Sequence, residues 1–242
     1  AQDTGFARGG DRTSLRLRPE DEALIAATAA ANPRTVVILV AGSAVDVTPW
    51  HLDVAALAQA WYGGMEGGHA VAALLIGAAE PTGRLPFSMV ADPDHLPPFD
   101  AEAEAVVYDA WHGYWLLERD GRTPAYPFGF GLSYTELAID DPTATIEGQE
   151  LVATATAVNA GGRPGVEVVQ LYAADGDGPM RLRGFVRVDL AAGERRLVEV
   201  RVPLASLARR RAGRWQPVAG PVRWRIARHA ADPGVGGQLE LS

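Results

Sequence analysis

The chain has no cysteine. Disulfides, zinc–thiolate centres and thiol nucleophiles are therefore excluded. Lysine is also missing, and all 22 basic residues are arginine. That removes the phosphate-loop lysine, Schiff-base chemistry and a lysine general base. Long hydrophobic runs are scarce. The longest apolar stretch, "TVVILVAGSAV" at 35–45, is too short to cross a bilayer, so no membrane is expected as a partner. Negative charge prevails, with a formal net charge of −8. Such a chain has no general attraction for phosphate backbones, so nucleic acid is not an expected partner either. No signal-peptide pattern opens the sequence, and its loop-like start reads as a piece of something longer.

What remains is globular. Apolar residues make up 48% of 242, enough for one large domain or two modest ones with real cores. "RPEDEALIAATAAANPRT" (18–35) reads as a helix. Pro19 suits the first helical position, Glu20, Asp21 and Glu22 suit the positive helix end, and Asn32-Pro33 stops it. Leu24, Ile25 and Thr28 form one helical face. "TVVILVA" (35–41) is apolar without alternation, which predicts a strand buried on both faces, and "ALAQAWY" (56–62) reads as a second. "EGGHAVAALLIG" (66–77) predicts a helix closed by Gly77. This order suggests a parallel α/β layer. Between about 80 and 135, "PTGRLPFSM", "DHLPPFD" and "YPFGFGLSY" read as extended segments and turns wrapped on that layer.

"AIDDPTATIEGQ" (138–149) is short and polar with one proline, and reads as a linker. Beyond it the period becomes two. Segments 151–158, 165–173, 183–190, 195–204 and 221–229 are expected strands of a small β-sandwich, with a piece from about 145 to 242 expected to fold alone.

Few motifs carry chemistry. In "WYGGMEGGHAVAALLIG" (61–77), two glycine pairs bracket Glu66. A phosphate cradle would use these glycines, but Glu66 would repel phosphate and the dinucleotide spacing is absent. Two readings stay open: a tight turn whose Glu66 caps the helix, and a turn lining a neutral, hydroxyl-rich pocket with Trp61 and Tyr62 as walls and Glu66 as acceptor. His51, His69, His95, His112 and His229 show no metal-ligand spacing, and His112 in "YDAWHGYW" is expected to pack among aromatics. "GLSYT" and "AGSAVD" fail the nucleophile-elbow pattern. "GGDRTSLRL" (9–17) places Asp11 and Arg12 in a glycine loop before a helix.

Those stretches, in order, carry a resemblance. "GGDRTSLRL", "ANPRTVVILVAGSAVDVTPW", "LAQAWYGGMEGGHAVAALLIGAAEPTGRLPFSM" and "YPFGFGLSYTEL" resemble the C-terminal half of family 3 glycoside hydrolases, the β-glucosidase and β-xylosidase group. "VNAGGRPGVEVVQLYAAD" and "LRGFVRVDLAAGE" resemble the fibronectin type III-like domain that ends many of them. The resemblance implies a partial α/β sandwich at 1–137, a linker at 138–149 and a fibronectin type III-like β-sandwich at 150–242. It implies that an N-terminal barrel domain of the same protein, holding an aspartate nucleophile, is the partner of this piece. The substrate it implies is a β-linked glucoside or related glycoside, cleaved with retention from the chain end, with no cofactor or metal. In that family the acid/base sits in a sandwich loop shortly before the Asp-Arg pair. Here that loop reads "AQDTGFARGG", and Asp3 is its only carboxylate. Either Asp3 is the acid/base, or the usual Glu lies upstream, or the parent has no conventional acid. Tyr62 and Glu66 are the implied substrate-side residues. The piece alone is expected to be inactive. The alternative is a non-catalytic carbohydrate- or protein-binding scaffold module.

Overall fold

The computed structural model describes residues 14–98, 100, 103–107, 109–211, 213–218 and 220–241. The chain divides into two compact units, one of residues 1–78 and 87–127, the other of 79–86 and 128–242. An α/β arrangement comes first and an all-β one follows.

In the first unit, helix α1 spans Pro19–Ala31. Its three first-turn acids are held by arginines on the N-terminal side. Arg16 pairs with Glu22, Nε to Oε1 at 2.7 Å, and Arg18 pairs with Asp21 at 2.9 Å. These pairs stand in for a capping side chain, since Arg18 at the N-cap makes no capping bond. The helix stops where Asn32-Pro33 was expected to end it. Asn32 precedes proline and is extended, at φ −144°, as sterics with the proline ring demand. Its side chain then accepts from Arg34 N at 2.9 Å and turns the chain into β1.

Strands β1 (Val36–Leu39) and β2 (Ala56–Gln59) pair in parallel, Val36 opposite Ala56. The expectation of a strand buried on both faces is not met within this chain, because Val36 and Val40 are exposed. Among the described residues the parallel sheet has only these two strands. Leu39 of β1 is buried, and the unit's other buried apolar residues lie beyond the strands, at Val45, Val47, Trp50, Met89, Val90 and Leu117. Helix α2 (Gly67–Leu75) ends as anticipated. Gly77 adopts φ +71°, and the amides of Gly77 and Ala78 return to the carbonyls of Leu74 and Ala73, closing the last turn. A short helix, α3 (Tyr114–Arg119), completes the unit.

The second unit is an antiparallel sandwich. One sheet has the order β3-β4-β7, with β3 at Leu137–Glu147, β4 at Glu150–Asn159 and β7 at Arg195–Pro203. The other runs β11-β10-β5-β6, with β5 at Gly165–Asp175, β6 at Arg181–Leu190, β10 at Val222–Ala227 and β11 at Val235–Leu239. A separate hairpin pairs β8 (Arg209–Arg211) with β9 (Arg214–Gln216). Alternate residues of both sheets, among them Leu151, Ala153, Val169, Leu171, Val200 and Trp224, fill one core, as facing sheets require.

Two expectations are corrected here. The stretch read as a linker is a strand, β3. Its proline is tolerated because the register shifts between Asp140 and Thr143. Asp141 takes φ +49° at that bulge, a conformation acidic side chains accept more readily than most, and Pro142 needs no ladder bond there. Leu137 joins the core and Ile139 and Ile146 pack against it. The second correction concerns the first residues of "PTGRLPFSM" (81–86) and the last of "YPFGFGLSY" (128–134), expected on the α/β layer. Residues 79–86 and 128 onward belong to the sandwich unit. Leu85 exchanges backbone bonds with Gly129 and Phe130. Gln170 of β5 donates to Gly129 O at 3.1 Å, and Arg84 reaches Glu167 of β5 at 3.1 Å.

Candidate functional site

Parallel strands deliver the residues after them to one end of the sheet, where α/β proteins usually bind ligands. Here the loops after β1 and β2 lie side by side. Ala60 N donates to Leu39 O at 2.8 Å, and Gln59 Nε2 donates to Ala41 O at 2.9 Å. Gln59 thus clamps the first loop to the second. The ring of Tyr62 lies over Gly42, so close that a Cβ there would come within 2.8 Å of it. Two sequence-distant loops therefore build one surface.

The backbone leaves β2 sharply. Trp61 adopts φ +54°, a left-handed conformation rare for a bulky side chain and costing on the order of 1–3 kcal/mol. Its ring meets Phe87 edge-on at 5.7 Å, and that packing offsets part of the strain. The glycines that follow divide by role. At Gly63 a Cβ would stand 2.8 Å from Gly67 Cα, so the turn closes only with glycine. Gly64 takes φ +65°. Gly67 and Gly68 have open space where a Cβ would go.

Glu66 occupies the N-cap of α2, but its side chain makes no capping bond. The capping reading is thereby corrected. Its carboxylate instead meets His69 Nδ1 at 2.7 Å, one helical turn on, with both side chains exposed. Tyr62 and Met65 are exposed too. Residues 62–69 thus expose a phenol, a thioether and a carboxylate–imidazole pair. Such groups can accept from and stack against a polar, hydroxyl-bearing ligand.

Sequence reasoning named Tyr62 and Glu66, and they share this loop. Asp3, Asp11 and Arg12 lie outside the described residues. His112 is edge-on to Trp115 at 5.3 Å, consistent with its aromatic reading. Reading the sequence missed the Gln59 clamp and the left-handed Trp61. It also missed His51, whose Nδ1 lies 3.2 Å from the Tyr126 hydroxyl. Burial raises the Tyr126 phenol above its usual pKa, keeping it protonated. Asp46 is buried and accepts from Thr48 N and Oγ1, fixing the turn after the first loop.

A family model described as the glycosyl hydrolase family 3 C-terminal domain matches residues 2–134. A second, for a fibronectin type III-like domain, matches residues 167–230. A probable beta-glucosidase I of Aspergillus terreus is 36% identical over 212 residues, which cover 79% of this chain and 25% of that protein. The crystal structure of a beta-glucosidase from Kluyveromyces marxianus in complex with glucose superposes with a TM-score of 0.90 at 30% identity, over 96% of this chain and 30% of that one. DesR, a beta-glucosidase from Streptomyces venezuelae in complex with D-glucose, gives a TM-score of 0.84 at 31% identity, over 97% and 32%. The chain spans about a quarter of the length of the curated relatives it matches.

Proposed function

The chain belongs to glycosyl hydrolase family 3, and from that premise we propose that it is the C-terminal part of a retaining, exo-acting β-glycosidase that cleaves β-glucosides. The observation that carries the reading is the loop of Tyr62–Glu66 at the carboxyl ends of the parallel pair. An exposed aromatic and a carboxylate sit there on a turn that only glycine can close. The names of the relatives, and the glucose in two of the related structures, support the sugar.

In this reading the nucleophilic carboxylate lies on a barrel domain outside these 242 residues. Retention requires a second carboxyl group roughly 5–5.5 Å from it, which protonates the leaving oxygen and later activates water. Asp3 takes that role. It precedes Asp11-Arg12 in the segment where the family carries its acid. Glu66 stays on the ligand side: it accepts from sugar hydroxyls or holds its loop through His69. Tyr62 forms the wall above Gly42. By itself the piece forms no glycosyl-enzyme intermediate and turns over no glycoside.

The test uses the full-length protein. Losing a general acid slows hydrolysis by on the order of 10²–10⁴-fold. Asp3→Ala is therefore expected to do so with an alkyl β-glucoside, to do less with an activated aryl glucoside, and to be rescued there by azide. Glu66→Ala should raise KM without that leaving-group dependence. If Glu66→Ala shows the dependence and the rescue, the roles are reversed. If neither variant does, the acid lies outside this chain. Turnover of aryl β-glycosides by the 242-residue chain alone would overturn the fragment reading.

A further inference from the structure

The hairpin β8–β9 has a composition unlike the rest of the chain. In a protein of net charge −8, Arg209, Arg210, Arg211 and Arg214 fall within six residues. Arg211 and Arg214 are backbone partners beside the turn. Arg210 is opposite Trp215, so the two project from one face. Trp215 is 72% exposed, although indole is among the most favourable side chains to bury. Arg209 is anchored to the sandwich by Asp175 and Asp177, at 3.5 and 3.3 Å. Arg210 and Arg214 have no carboxylate partner among the described residues, and Arg210 makes only a 3.4 Å bond to Gly213 O. A hairpin that is anchored at its base but carries unneutralised charge and an uncovered indole at its tip has its chemistry directed outward.

We propose that this hairpin is a docking site for an acidic polysaccharide, a chain of pyranose rings bearing carboxylates. The indole of Trp215 stacks on the apolar C–H face of one ring, and Arg210 takes the carboxylate of the next in a bidentate fork. Arg214 pairs with a further carboxylate. Nucleic acid fits less well. Its dense phosphate charge meets the repulsion of an acidic protein, and a single indole offers no run of stacking platforms for successive bases. A polymer with at most one carboxylate per ring has a lower charge density and needs only one stacking face. The choice of a sugar polymer rests on the glycosidase reading, but docking requires no hydrolysis.

The experiment is affinity electrophoresis and calorimetry of the 242-residue chain with polygalacturonate, a neutral β-glucan and single-stranded DNA, at low and physiological salt. Retardation by polygalacturonate is expected, weakening with salt, with none by the neutral glucan. Trp215→Ala and the double variant Arg210→Gln/Arg214→Gln should each weaken binding at least tenfold while the thermal melt of the sandwich stays unchanged. Three results overturn the proposal: no retardation by polygalacturonate, retardation unaffected by these variants, or equal retardation by DNA that survives Trp215→Ala, which would make the hairpin a mere charge patch. A failed activity test with successful docking, or the reverse, separates this inference from the glycosidase reading.

Discussion

Replacing Arg84 by Met probes the tie between "PTGRLPFS" and the sandwich. Glu167 on β5 is fully buried, at 0% exposure, and Arg84 is 11% exposed. Solvent screening therefore discounts this pair little. Arg84 NH2 sits 3.1 Å from Glu167 Oε1 and 3.3 Å from Val166 O. On the other side, Arg228 Nε stands 3.0 Å from Oε2 but is 40% exposed. Removing one partner of a buried ion pair costs about 3–5 kcal/mol, mostly because the other charge is stranded. Arg228 remains to neutralise Glu167 from the wet side, so the loss falls at or just below the bottom of that range, about 2–3 kcal/mol. A unit of this size loses roughly 3–5 °C per kcal/mol. Calorimetry of the whole chain should then show the sandwich transition fall by about 6–15 °C in Arg84→Met. Adding Glu167→Gln removes the stranded charge and keeps an acceptor for Val168 N, which the carboxylate now serves at 2.8 Å. The double variant should recover at least half of the loss. A shift under about 2 °C refutes the argument. So does a double variant whose loss is the sum of both singles, because Arg84 would then act through its backbone bonds and packing alone.

Other outcomes follow from the same structure. Burial lowers the pKa of His229 below its ordinary 6.5. The folded value is depressed, so its contribution is present above 6.5 and is lost as pH falls through the folded pKa. The sandwich should soften on acidification below about pH 6.5, with a flatter melting-temperature profile in His229→Gln; an unchanged slope would exclude this histidine as the cause. Gly63→Ala should destabilise the loop, because its Cβ meets backbone at 2.8 Å, whereas Gly68→Ala, with open space in a helix, should stabilise by about 0.5–1 kcal/mol; chemical denaturation of the first unit reads both, and equal effects would contradict the steric account. A piece covering 128–242 should melt cooperatively and one covering 145–242 should not, since the shorter piece loses Leu137 and Ile139 from the sandwich; a sharp melt of the shorter piece would show that β3 is dispensable.

The fold was legible where structure is decided by near neighbours. Asn32-Pro33 ended α1, Gly77 closed α2, and period-two alternation marked β4 to β7 and β10. It failed at β3, where polarity and Pro142 imitate a linker, because a bulge at Asp141 absorbs the proline and only the pairing with β4 exposes the ladder. It failed again at "GRLPFS". What ties residues 83–86 to the sandwich is the backbone pairing of Leu85 with Gly129 and Phe130 and an ion pair between residues 83 positions apart, and no local pattern encodes either.

The candidate site divides along the same line. The Glu66 helix start and the glycine turn are local and could be read, whereas the seating of Tyr62 over Gly42 joins two loops and could not. Trp61 explains why that seating holds. A bulky residue at φ +54° is disfavoured on its own, so its conformation persists only because neighbouring contacts fix it. Those contacts are the edge-on packing against Phe87, the Ala60–Leu39 bond just before it and the Gly63 approach to Gly67 just after. Each of them constrains the direction in which residue 62 leaves the strand. The strain at Trp61 is thus the local expense of presenting Tyr62 and Glu66 from a fixed frame. A flexible turn would offer the same side chains with more conformational entropy to lose on binding.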